Sequence, residues 1–205
     1  MIKVLIASKN QGKIREFKQM LADWPVSFAG LDEWPDIEEP EETGDTFLAN
    51  ASLKAAYYAK ETGMISLADD SGLAVDPLNG APGVLSARYS GNHGDDAANN
   101  QLVLSQLANV PDERRTGRFL CALAVALPDG AIVATTEGSC EGLILREEKG
   151  AGGFGYDPLF WSPMLKKTLA EATSDEKNSV SHRGNALRAL AKKWQVIEDA
   201  AGHHQ

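Results

Sequence analysis

A mixed α/β fold in one chain unit is predicted by three observations. A β-branched apolar run at 2–7 is followed by a segment of helical period, so strand and helix alternate from the start. A second helical segment ends at Gly63 and leads into another apolar run, 64–68. Farther along, two long strand-like runs, 118–127 and 131–145, meet at Pro128-Asp129-Gly130, the composition of a hairpin turn. With 205 residues, 43% of them hydrophobic and 24% charged, the chain can bury a sizeable core. One domain over 1–205 is the expectation, with no repeat, linker or low-complexity stretch to divide it.

Each element has a local reason. After the first strand comes the polar loop Ser8-Lys9-Asn10-Gln11-Gly12, and then a helix expected from Lys13 to Leu21, with Ile14, Phe17, Met20 and Leu21 on one face. Trp24-Pro25 closes it, and an acidic loop follows at 36–44. Asp45 or Thr46 is the expected N-cap of a second helix reaching Glu61. The strand at 64–68 then meets Asp69-Asp70-Ser71-Gly72, and a turn-rich stretch with six glycines and prolines fills 76–94. That stretch fits either an interface or a mobile lid, and its Arg88 fits either a structural ion pair or a substrate contact. Residues 96–108 read as helix. The run 118–127 is apolar on both faces, which suits a central strand. A second irregular stretch spans 150–163, short helical material 168–177, and a final helix 185–194.

Charge and composition remove several classes of function. The formal net charge is −9, and no basic face is visible, which disfavours a nucleic-acid binder. No apolar run approaches the ~20 residues that span a bilayer, and the apolar start is too short for a secretory signal. Cys121 and Cys140 lack CxxC spacing and read as small core residues of a reducing, cytoplasmic protein.

Four constellations can carry chemistry. Ser8 to Lys13 joins a strand to a helix start, where unbonded amides and the helix dipole attract anions, though most such loops are only loops. The acidic loop and the pair Asp69-Asp70 supply oxygen ligands on separate segments, the usual way of holding Mg2+; the plainer account is a solvated acidic loop. Successive strand side chains point to opposite faces, so Asp69 and Asp70 cannot share one solvated face. Gly152-Gly153-Phe154-Gly155-Tyr156-Asp157-Pro158 lets an aromatic ring lie open to a flat ligand, or else plugs the core. Lys177, His182 and Arg183 place three donors just before the last helix. Together they supply phosphate donors, metal carboxylates, a stacking ring and base-edge donors, the four needs of a nucleoside triphosphate site.

The runs SKNQGK (8–13), EETGDTFLANASLKA (41–55), LADDSGLAVDPLNGAPGVLSARYSG (67–91), GGFGYDPLF (152–160) and EKNSVSHRGNAL (176–187) are similar to the signature segments of the inosine triphosphate pyrophosphatase family. The resemblance runs in order from Ile2 to about Trp194. It implies an elongated α/β fold of two lobes with a substrate groove between them. It also implies a homodimeric, Mg2+-dependent enzyme that splits ITP, dITP or XTP into the monophosphate and pyrophosphate. By position, Ser8, Lys9, Asn10, Gln11, Gly12 and Lys13 would cradle the triphosphate, with Lys13 its main cation. Glu41 and Asp70 would hold the metal, and Asp70 would also accept the proton of the attacking water. Asp69 is the lesser candidate for metal or water. Ser71 would touch substrate, Phe154, Gly155, Tyr156 and Asp157 would receive purine and sugar, Lys177 would meet phosphate or base, and His182 with Arg183 would read the base edge. Lys9 stands where many members carry a glycine, and its effect is unassigned. Competing readings are a pyrophosphatase of modified pyrimidine nucleotides, a nucleotide-binding module without turnover, and a nucleic-acid binder.

Overall fold

The computed structural model describes residues 2–202. Among these residues seven strands form one mixed sheet: β1 (Ile2–Ile6), β2 (Val26–Gly30), β3 (Ile65–Val75), β4 (Thr116–Ala126), β5 (Ile132–Ile144), β6 (Phe160–Ser162) and β7 (Lys167–Thr168), in the order β2-β1-β3-β4-β5-β6-β7. Six helices accompany them among the described residues: α1 (Gln11–Met20), α2 (Phe47–Thr62), α3 (Asp96–Gln106), α4 (Ser174–Val180), α5 (His182–Ala191) and α6 (Trp194–Gly202). Contacts divide the chain into two compact units, the first formed by the residues up to Asp70, Cys121–Gly138 and those from Gly184 on, the second by Ser71–Leu120 and Ser139–Arg183.

In the first unit β1 pairs in parallel with β2 (Val4↔Phe28) and with β3 (Leu5↔Ser66). The pleat sorts the core onto two faces. Val4, Ile6, Ile65, Leu67, Cys121, Leu123 and Val125 pack with Phe17 and Leu21 of α1, with Ala186, Leu187 and Leu190 of α5 and with Ile197 of α6. The alternate residues Leu5, Ala7, Ala68, Ala122, Ala124 and Ala126 pack with Ala51, Ala55, Tyr58 and Ala59 of α2. Alanines on strand and helix let α2 lie close to the sheet. Burial on both faces explains why these strands read as continuous apolar runs.

The second unit gathers Leu73 and Val75 of β3, Val103 and Leu107 of α3, Phe119, Cys140, Ile144, Tyr156, Leu159, Phe160, Leu169 and Val180 into its own core. Phe119 packs on Phe160 with ring centroids 4.6 Å apart. Arg115 is 2% exposed and donates to the carbonyls of Leu107, Ile144 and Leu145, tying the end of α3 to the end of β5.

Several expected boundaries move. Asn10 caps α1 through Lys13 N–H, so the helix starts at Gln11 rather than Lys13, and Gln11 and Gly12 belong to its first turn. Thr46 caps α2, and Gly63 at φ 67° ends it, near the expected limits. The strand expected at 64–68 runs on to Val75, through both aspartates, and half-buried lysines meet the charges that were expected to end it. β2, β6, β7 and α6 were not anticipated: β6 lies in the stretch read as irregular, and β7 reaches the start of the one read as helical. The last basic segment is split, with Lys177 inside α4 and His182 opening α5. The hairpin at 127–131 is as expected, closed by Gly130 N–H on Leu127 C=O. Cys121 and Cys140 are both buried and in no disulfide. Among the described residues no helix is long and apolar enough to cross a membrane.

Candidate active site

In the first unit the chemistry is built on β3. Asp69 has the parity of Ile65 and Leu67 and so faces α1, whereas Asp70 has the parity of Ala68 and faces α2. Each helix supplies a lysine to its own face. Lys13 Nζ of α1 lies 3.0 Å from Asp69 Oδ2, and Lys54 Nζ of α2 lies 3.9 Å from Asp70 Oδ1. Lys54 also pairs with Glu42 of the acidic loop at 3.0 Å. Asp69 is 1% and Asp70 6% exposed. Burial, the largest influence, pushes the Asp70 carboxyl up to about 6; Glu42 and Asp69 push the same way, while Lys54 and Lys13 oppose. For Lys54, burial alone favours the neutral amine, but Asp69, Asp70 and Glu42 together carry its pKa above the ordinary value.

The loop before α1 is shaped by its own polar groups. Ser8 Oγ accepts from Asn10 N–H, Asn10 Oδ1 accepts from Lys13 N–H, and intrahelical bonding begins at Ile14 N–H. Lys9 Nζ donates to Ile37 C=O, so its charge is spent on the chain leading to the acidic loop. Asn50 of α2, 1% exposed, grips that loop from the other end: Gly44 N–H donates to Asn50 Oδ1 at 2.7 Å, and Asn50 Nδ2 donates to Gly44 C=O. A side chain at Gly44 would meet Asn50 Oδ1 at 2.7 Å, hence the glycine.

In the second unit the aromatic loop is held as tightly. Lys177 Nζ and Asp157 Oδ2 are 2.5 Å apart and both buried. Lys177 Nζ also stands 4.6 Å from the centroid of the half-buried Phe154 ring, and Arg183 Cζ 5.9 Å. Arg183, 1% exposed, donates through Nη2 to Ser71 Oγ at 2.9 Å. His182 stacks on Phe119 at 4.7 Å and 13°. Tyr156 is buried and donates its hydroxyl to Ser86 C=O at 2.6 Å; burial pushes its phenol well above the ordinary range. Ser86 Oγ in turn accepts from Leu73 N–H on β3.

Of the residues singled out from the sequence, Lys13 and Asp69 meet in the first unit, where Asp70 is also buried. Ser71, Phe154, Asp157, Lys177 and Arg183 share one connected set in the second. Glu41 is exposed, and it is its neighbour Glu42 that pairs with Lys54. Gly155 contributes backbone only. Sequence reasoning missed Lys54, Glu42 and Asn50. A signal existed: Asn50, Lys54 and Tyr58 recur every four residues on a face of α2 otherwise made of alanine. Among the described residues no three His, Cys, Asp or Glu side chains form a ready-made metal centre. The oxygen donors Asp70 and the acidic loop nonetheless suit a hard divalent cation, which takes few protein ligands and completes its shell with water and phosphate.

Comparison with known proteins places the chain in a family. A profile of the Ham1 family matches residues 4–193. A dITP/XTP pyrophosphatase from Desulforamulus reducens is 52% identical over 187 residues, 91% of this chain and 92% of its own length. One of the same name from Bacillus cereus is 50% identical over 194 residues, 94% and 95% of the two chains. The structure of a HAM1 protein from Coxiella burnetii aligns with a TM-score of 0.85 at 41% identity, covering 95% of this chain and 99% of that one.

Proposed function

Because the chain belongs to the Ham1 family, we infer that it hydrolyses the triphosphates of deaminated purines, ITP, dITP and XTP, to the nucleoside monophosphate and pyrophosphate. The observation that carries this reading is the pair of buried carboxylates on opposite faces of β3, each facing a lysine. Such an array suits a reaction that brings a polyanion and a water molecule together.

The triphosphate falls to residues of the first unit. The amides at the start of α1, the dipole behind them and Lys13 attract phosphate oxygens, so Lys13 exchanges part of its bond with Asp69 for the substrate. Asp70, with Glu41 of the acidic loop, would hold a Mg2+ ion, which neutralises phosphate charge when bound. Asp70 orients the attacking water and takes its proton as the new P–O bond forms and the anhydride bridge breaks. With a pKa of about 6 its carboxyl is mostly ionised at neutral pH yet more basic than an ordinary aspartate. Lys54 keeps Glu42 beside Asp70 and balances the charge.

The purine falls to residues of the second unit. Phe154 offers a ring face for stacking, steadied by Lys177, while Tyr156 and Asp157 serve as supports of the loop. Arg183 can only donate, which favours the O6 acceptor of hypoxanthine and xanthine over the amine of adenine. Ser71 holds its guanidinium in place. We also propose a cytoplasmic homodimer, on the family resemblance and the two buried thiols. Sedimentation at micromolar concentration reads the assembly, and a monomer mass there would remove the dimer.

The deciding experiment is pyrophosphate release with Mg2+ from ITP, XTP, dITP, ATP and GTP in parallel. Fast release from the first three, with little from ATP and GTP, is expected. A folded chain that releases none would be a binding module instead.

A further inference from the structure

We propose that Asp96 and Asn100, one turn apart on α3, form a clamp that positions the Phe154 ring for the purine, so that base selectivity depends on a helix that itself contributes no group to the base. The inference rests on the stacking role given to Phe154 above. Gly155 N–H donates to Asp96 Oδ2 at 2.8 Å, and Asn100 Nδ2 donates to Gly155 C=O at 3.2 Å. Residues four apart on a helix share a face, so a single residue of the loop is gripped at both its polar groups by one face of α3.

The grip completes a pattern. Phe154 N–H donates to Asp157 Oδ2, and Asp157 N–H donates to Phe154 C=O. All four backbone polar groups of Phe154 and Gly155 are thereby engaged, two inside the loop and two by α3. Gly155 sits at φ 59° and Gly153 at φ 67°, so without these partners the loop would have wide backbone freedom. α3 is itself fixed: Asn99 accepts from Ser90 N–H and donates to Ala87 C=O, and Asn100 also donates to Glu148 Oε1 at 2.9 Å. Asn99 and Asn100 are 2% and 3% exposed, polar side chains that a merely amphipathic helix would not bury. A ring held in advance loses little freedom when a base stacks on it, which converts positioning into affinity.

Asp96 is exposed, so changing it leaves the core intact. The test compares wild type, Asp96→Ala, Asp96→Asn and Phe154→Ala by calorimetric titration with inosine monophosphate and, separately, with pyrophosphate, alongside kcat and KM for ITP. Asp96→Ala is expected to weaken inosine monophosphate about three- to tenfold, the scale of one lost hydrogen bond, and to raise KM with kcat held. Pyrophosphate affinity should not change, and Asp96→Asn, which keeps an acceptor oxygen, should restore the wild-type values. Asn100→Ala should give the same split. Wild-type affinity in Asp96→Ala, equal loss in Asp96→Asn, or equal loss toward pyrophosphate would each overturn the clamp. If Phe154→Ala itself binds inosine monophosphate normally, the stacking role falls first. If only Phe154→Ala is weakened, the clamp alone is wrong.

Discussion

The role proposed for Asp70 as proton acceptor comes with a burden on stability. Its carboxyl titrates near 6 in the fold and near 3.8 when exposed. Between those values the folded chain keeps a proton that the unfolded chain has released, so stability falls as pH rises through the window. Two pKa units correspond to about 3 kcal/mol. Asp70→Asn, stripped of divalent ions, is therefore expected to be more stable than wild type above pH 6 and equal to it near pH 4, read by urea denaturation. The same substitution should lower kcat by ~10²–10⁴ with a small change in nucleotide affinity, the range of a lost general base. Equal loss of affinity and rate would make metal holding its main role instead. At the base edge, Arg183→Ala should flatten the ratio of kcat/KM for ITP over ATP, and an unchanged ratio would remove Arg183 from base reading.

The elements matter through what they force their neighbours to do. A strand carrying two consecutive aspartates can stay a strand only if each face provides a cation, and α1 and α2 do so with Lys13 and Lys54. In the aromatic loop, Gly153 is needed twice over: it adopts φ 67°, and a Cβ there would lie 2.2 Å from Asp157 Oδ2. Gly153→Ala should cost at least ~1–2 kcal/mol, from the left-handed backbone alone. It should also weaken purine binding, because Asp157 must move off Phe154 N–H; unaltered urea midpoint and affinity would contradict both. Lys177→Met removes the cation paired with the buried Asp157 carboxylate and should lower stability by ~3–5 kcal/mol. A loss near zero would mean that water or another donor reaches Asp157.

For the molecule as a whole, the charge of −9 and the cation positions together select the ligand. Lys13, Lys54 and Lys177 each face a buried acid, Asp69, Asp70 and Asp157. Such cations can meet one small polyanion and cannot follow a nucleic-acid backbone. Duplex DNA should accordingly not be retained in a filter assay even at low salt, and retention would refute the charge argument. In the proposed roles, the residues given to the phosphates end at Asp70 and those given to the base begin at Ser71, where the boundary between the two units falls on β3.

Much of this was legible in the linear chain. The alternation of strand and helix, the cap of α2 at Asp45 or Thr46 and the hairpin at Pro128-Asp129-Gly130 follow from local periodicity and turn chemistry, which act over a few residues. What tertiary structure decided is which charge meets which. That Glu42 rather than Glu41 pairs with Lys54, that β3 continues through its aspartates, and that Asp96 reaches Gly155 from 59 positions away depend on contacts between distant segments. Local pattern can say that a buried charge needs a partner. Only packing, which brings a particular helix face against a particular strand or loop, determines the partner.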